Sequence, residues 1–192
     1  NTLGNNEVAA YTAAYKMDTL MLQILSAFGT SISTFTAQNY GSNDFDRVKQ
    51  GAKSCLKITI TISIITALIV YFFGETFMIL FVGKDESEVI RLGIQYVRFT
   101  SCFYIILGVN FVIRFVLTGV GQAIVPLGVG ILEVFIRALA AYYLIYPLGF
   151  TGMTYTNPLC WGVSTLLIAL TYPTLLNKSF NKKYQRLVEN YS

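Results

Sequence analysis

The sequence predicts an all-α integral membrane protein with five transmembrane helices. Three observations carry that reading. Of 192 residues, 54% are hydrophobic and only 12% are charged, about half the charge a soluble domain needs to cover its surface. The mean hydropathy is +0.57. The apolar residues also fall into blocks of roughly 20 or more, the length that crosses a hydrocarbon core.

The blocks run over 8–36, 55–82, 93–118, 122–147 and 152–176. Turn signals separate them at Gly41-Ser42-Asn43-Asp44, Gly83-Lys84-Asp85, Gly119-Val120-Gly121 and Pro147-Leu148-Gly149. Gly121, Gly128 and Gly130 are expected to let a neighbouring helix approach closely. Pro126 and Pro158 fit first turns, whereas Pro173 lies deep in the last span and is expected to kink or end it.

Charge orients the bundle. Arg47, Lys49, Lys53 and Lys57 follow the first block, and Lys178, Lys182, Lys183 and Arg186 follow the last, so eight of the 14 Lys and Arg share one side after five crossings. Asp85, Glu86 and Glu88 lie opposite. The positive-inside rule makes the basic side, with its tail over 177–192, cytoplasmic. That parity leaves the N-terminus outside, and at least one further helix upstream is the expected remedy.

The net charge of +4 is small and segregated, so no nucleic-acid partner is indicated. Histidine is absent, which removes the commonest general base and the imidazole metal ligands. Cys55, Cys102 and Cys160 offer neither a disulfide framework nor a metal pair. No enzyme, cofactor or metal site is expected.

Polar residues inside the spans mark the candidate site, because charge in hydrocarbon is costly unless it faces protein or water. Thr12, Lys16, Thr19, Gln23, Ser26, Thr30 and Ser33 recur at alternating spacings of four and three along the first helix, forming one polar stripe. Such a stripe lines a cavity, or its hydroxyls bond across to neighbouring helices. Tyr11, Tyr15 and Asp18 form a second face. In the fourth span Glu133 and Arg137 stand at i, i+4, the favourable order for an intrahelical ion pair. Asn110 and Arg114 share that spacing in the third, from which Arg114 is placed to reach Glu133 as well. Two readings of this charged set stand open: a pin between helices, or a gating switch.

The run from Val8 to Lys16, then Gln38-Asn39-Tyr40-Gly41 and Asp46-Arg47-Val48, resembles the multidrug and toxic compound extrusion (MATE) transporters. So do Arg114-x-x-Leu117-x-Gly119-x-Gly121, Glu133-x-x-x-Arg137, Gly149-Phe150-Thr151-Gly152 and Asn157-Pro158-x-x-Trp161. The resemblance covers essentially the whole chain. It implies helices eight to twelve of a twelve-helix, two-lobe transporter, so residues 1–192 would form the C-terminal lobe without its first helix. It further implies export of drugs or other organic cations across the cytoplasmic membrane, coupled to sodium ions or protons. The implied partners are the N-terminal lobe of the same chain and membrane lipid.

On that basis Tyr11, Tyr15, Lys16, Asp18, Gln23 and Asn110 are the expected substrate or ion pathway. Arg114, Glu133 and Arg137 are the expected gating or structural set. Tyr11 and Tyr15 would offer π faces to a cation, Asp18 would attract its charge, and Lys16 would compete for that carboxylate. Members that couple cations through an acid in their tenth helix differ from this chain, which reads Ile105-Ile106-Leu107-Gly108-Val109-Asn110 there. Coupling then rests on Asp18, on Glu133 or on the other lobe. The alternatives are a lipid-linked sugar flippase of the wider superfamily and a non-transporting membrane scaffold.

Overall fold

A computed structural model describes residues 4–191. Its helices are α1 (Asn5–Gly41), α2 (Phe45–Val82), α3 (Ser87–Ser101), α4 (Tyr104–Gly119), α5 (Ile124–Ala140), α6 (Tyr146–Leu148) and α7 (Phe150–Tyr191), with a π-helical turn over Ala141–Ile145 joining α5 to α6. Four uninterrupted helical stretches are long and apolar enough to cross a membrane, and the bent pair α3–α4 makes a fifth span. The chain is therefore a multi-pass membrane bundle. Three of the four predicted turns fall at breaks between helices, while Pro147 and Leu148 of the fourth form the short α6, so that only Gly149 separates it from α7.

The long helices start where local chemistry supplies partners for their first N–H groups. Glu7 accepts from the Gly4 amide at 2.9 Å, and Asp44 accepts from the Arg47 amide at 3.0 Å, the N-terminal capping that orphan donors require. Between them Asn43 takes φ +65°, a left-handed conformation that asparagine tolerates. The turn is tighter than expected. Arg47, Lys49, Lys53 and Lys57 consequently ride on the first turns of α2 rather than in a loop.

α1 packs on α2, α3 and α4, while α7 packs on α4, α5 and α3. Lipid tails are as apolar as leucine, so close packing of small groups, rather than water exclusion, must hold such helices together. Gly108 and Gly119 of α4 provide it. A Cβ on Gly108 would stand 2.8 Å from Ser63 Oγ, and one on Gly119 would stand 2.7 Å from both the Ser33 carbonyl and Thr36 Cβ. The close approach expected at Gly128 does not occur: that glycine faces open space, and Gly130 instead makes room for the Arg114 guanidinium.

Two predicted spans differ in shape. The third is broken, with α3 and α4 bent by 51°. Neither glycine nor proline sits at the break. Instead Thr100 bonds the Tyr96 and Val97 carbonyls, and Ser101 and Cys102 both bond the Arg98 carbonyl. Side chains that take up backbone acceptors in this way compete with the helical ladder and bend it. The last span, by contrast, runs on. α7 continues through Pro158 and Pro173, and Pro158 lies in its third turn rather than its first. Membrane helices accommodate such prolines where neighbouring groups take up the freed carbonyls. The basic segment from 177 is thus a continuation of α7, described to residue 191.

Candidate functional site: a buried carboxylate at a broken helix

Asp18 is completely buried. It stands two residues from Lys16, and positions i and i+2 point to different sides of a helix. Lys16 accordingly lies exposed, its ammonium 5.0 Å from the centre of the Phe81 ring, on the other side of α1. The expected competition between Lys16 and Asp18 has no contact to support it. Asp18 faces inward with Ala14, Met17, Met21 and Leu25, all on the face of α1 that meets α3 and α4.

Two phenols hold the carboxylate. Tyr96 of α3 donates to Oδ2 at 2.6 Å, and Tyr104 of α4 donates to Oδ1 at 2.9 Å. In a straight helix these tyrosines would be about 12 Å apart along the axis. The bend between α3 and α4 swings both hydroxyls onto one acid. Asn157 of α7 extends the network, its Nδ2 donating to the Tyr96 oxygen at 2.9 Å. The Tyr11 ring stands edge-on to Tyr96 at 5.3 Å and stacks on Tyr15 at 5.5 Å. Among the described residues, no lysine or arginine forms an ion pair with Asp18. Its neighbours are neutral donors, so a charged carboxylate here retains an appetite for a cation or a proton.

A second junction lies deeper along α4. Asn110, buried, donates from Nδ2 to Ser164 Oγ at 3.0 Å and Thr165 Oγ1 at 3.1 Å. It ties α4 to α7. The third junction is ionic. Arg114 Nη1 meets Glu133 Oε1 at 3.3 Å, and Arg114 Nη2 donates to the Pro126 carbonyl at 3.1 Å. The expected pair between Glu133 and Arg137 does not form; Arg137 is exposed, and Glu133 pairs across the helices instead.

The polar stripe of α1 is present but not bonded to other helices. Thr12, Lys16, Thr19, Gln23 and Thr30 are exposed, and the hydroxyls of Thr12, Thr19 and Thr30 bond carbonyls one turn back on α1 itself. The threonines of the stripe therefore bond locally rather than across helices. Tyr96 and Tyr104 escaped the sequence reading, and Asn157 entered it only within a family motif. Tyrosine and asparagine recurring in blocks that must fit lipid were the available signal.

The described residues thus form a membrane bundle with a buried acid that has no ion-pair partner among them and a largely exposed polar stripe on α1. The MatE family model matches residues 1–143, and the chain belongs to that family. It is 24% identical over 192 residues to the probable multidrug resistance protein YoeA of Bacillus subtilis (strain 168), covering 98% of this chain and 40% of that protein. It is also 24% identical over 174 residues to a FAD transporter of Shewanella oneidensis (strain MR-1), covering 91% of this chain and 35% of that protein. Among solved structures, it superposes on the outward-facing conformation of a multidrug resistance MATE family transporter with a TM-score of 0.85 at 18% identity. That superposition covers 93% of this chain and 40% of the transporter. The chain thus spans well under half the length of the relatives it matches.

Proposed function

We propose that this chain is the C-terminal lobe of a cation-coupled antiporter that exports organic cations across the cytoplasmic membrane by alternating access, its basic end in the cytoplasm. The single observation that carries this reading is Asp18, fully buried and held by two neutral hydroxyls, with no ion-pair partner among the described residues. An acid so placed binds a sodium ion or proton and releases it when its surroundings change. The exposed stripe from Thr12 to Thr30 would face the central cavity and the other lobe, with substrate moving between them. The partly buried Tyr11–Tyr15 stack would contribute an aromatic wall beside the acid.

The test is efflux of a cationic dye by the full-length protein carrying Asp18→Asn. Asparagine keeps the volume and one acceptor but cannot hold a cation by charge. A fall in coupled efflux of roughly tenfold or more is expected at unchanged expression; wild-type efflux would remove Asp18 from the mechanism.

A second reading follows from the similarity to a FAD transporter and from Lys16, exposed on the hydrophilic face of α1. Here the cargo is an amphipathic anion, a lipid-linked sugar or a nucleotide among them. Lys16→Gln separates the two: loss of anion transport with dye efflux intact favours the anion, and the converse favours the cation.

A further inference from the structure

The opposite end of the lobe contains a cavity that the transport reading does not use. Because α7 stays helical beyond Pro173, Ser179, Lys182, Lys183, Arg186 and Leu187 fall at helical spacings of three, four, seven and eight on one side. That side leans over the turn between α4 and α5, where Gly121 takes φ +84°. The space enclosed measures about 490 Å³ and is lined by Tyr40, the Val120–Gln122 turn and this side of α7.

Its chemistry is one-sided. Three of the lining residues, Lys182, Lys183 and Arg186, are cationic and none is acidic. Lys183 is fixed in place: its ammonium caps the end of α1 by donating to the Tyr40 and Gly41 carbonyls, and it lies 4.5 Å from the centre of the Tyr40 ring. Gln122 is likewise held, donating from Nε2 to Ser179 Oγ at 3.0 Å. Lys182 and Arg186, by contrast, are exposed and form no ion pair among the described residues. Two free cations beside an anchored third and a neutral amide suit a phosphate group.

The position names the source of that phosphate. Ile124, two residues from Gln122, is 83% exposed, and Leu127 one turn further is 64% exposed. These two residues open the apolar exposed side of a candidate membrane span, Ile124–Leu148, that starts two residues after the cavity's Gln122. A ligand with a phosphate in the cavity and hydrocarbon along Ile124 and Leu127 meets both surfaces. The geometry points to a binding site for the phosphate headgroup of an anionic membrane lipid, seated between α7 and the α4–α5 turn with its acyl chain along α5. This site is separate from Asp18 and does not depend on what the protein transports.

Native mass spectrometry of the full-length protein, delipidated in detergent, provides the test. Titrations use phosphatidylglycerol, zwitterionic phosphatidylcholine and soluble glycerol phosphate. Lys182→Gln with Arg186→Gln removes the two free charges and leaves the Lys183 cap intact. Lys49→Gln with Lys53→Gln removes two charges from the same end but outside the cavity. Preferential retention of phosphatidylglycerol is expected, reduced roughly thirtyfold by the cavity pair, as two charges at a membrane surface command, and far less by the control pair. Equal loss in both pairs would overturn the site in favour of general surface attraction. Displacement of the lipid by glycerol phosphate at similar concentration would overturn the lipid assignment in favour of a soluble phosphate.

Discussion

Two carboxylates within the spans, Asp18 fully buried and Glu133 partly so, are treated in opposite ways. Glu133 meets Arg114, and the guanidinium also grips the Pro126 carbonyl, so α5 is tied to α4 through a neutral ion pair. Asp18 is held by the neutral hydroxyls of Tyr96 and Tyr104, and among the described residues it has no cationic partner. A paired charge is already balanced, and the simplest expectation for it is a pin between two helices. An acid surrounded by neutral donors is balanced only when something arrives. On the proposed mechanism, the sign of the nearest partner, more than burial, separates a structural carboxylate from a working one.

The largest expected effect tests that division directly. Asp18→Asn should abolish coupled efflux while leaving the melting temperature of the full-length protein nearly unchanged, since the tyrosine hydroxyls can turn to meet an amide. Glu133→Gln should do the reverse. It strands Arg114 in the membrane and should cost about 2 kcal/mol of stability, below the usual range for a fully buried pair because both side chains remain about one-fifth exposed. Dye efflux by correctly folded Glu133→Gln should stay within about twofold of wild type. If Arg114→Leu is combined with Glu133→Leu, much of the lost stability should return. Efflux assays beside thermal melts in detergent distinguish these outcomes, and abolished transport in both single variants would dissolve the comparison.

Next in size are the tyrosines. Tyr96 donates to Asp18 and accepts from the Asn157 amide, whereas Tyr104 donates to Asp18 without touching that amide. Tyr96→Phe leaves a carboxylate oxygen and an amide short of a partner and should cost about 2 kcal/mol. Tyr104→Phe should cost about 1 kcal/mol. Equal melting shifts would show that the Asn157 branch contributes nothing.

Why the acid's partners were hidden in the sequence is instructive. Asp18 stands out because a carboxylate in an apolar block is conspicuous. Tyr96 and Tyr104 are eight residues apart and sit too far along a straight helix to serve one acid. Only the bend makes them neighbours, and the bend arises from Thr100, Ser101 and Cys102 bonding backbone carbonyls, a signal far weaker than proline. The five spans and their turns were legible because hydropathy and chain reversal are local properties. The partner of Glu133 was only half legible. Spacing on one helix favoured Arg137, but the approach of α4 to α5 placed Arg114 within reach, and tertiary geometry decided between them.

The smallest effect concerns the hydrophilic face of α1. Thr19 is exposed and bonds the Tyr15 carbonyl of its own helix, touching no other element through its hydroxyl. Thr19→Val keeps the shape and removes only that local bond, so the melting temperature should move by no more than about 0.5 kcal/mol equivalent. The same substitution of Thr100, which is fully buried at the bend, removes two backbone contacts. It should straighten the α3–α4 junction and weaken the Tyr96 and Tyr104 grip on Asp18. The matched pair isolates what a threonine hydroxyl does on a free surface from what it does inside a broken helix. If Thr19→Val were instead the more destabilising, the α1 stripe would be held by another part of the full-length protein, placing it in an interface between lobes rather than along an open cavity.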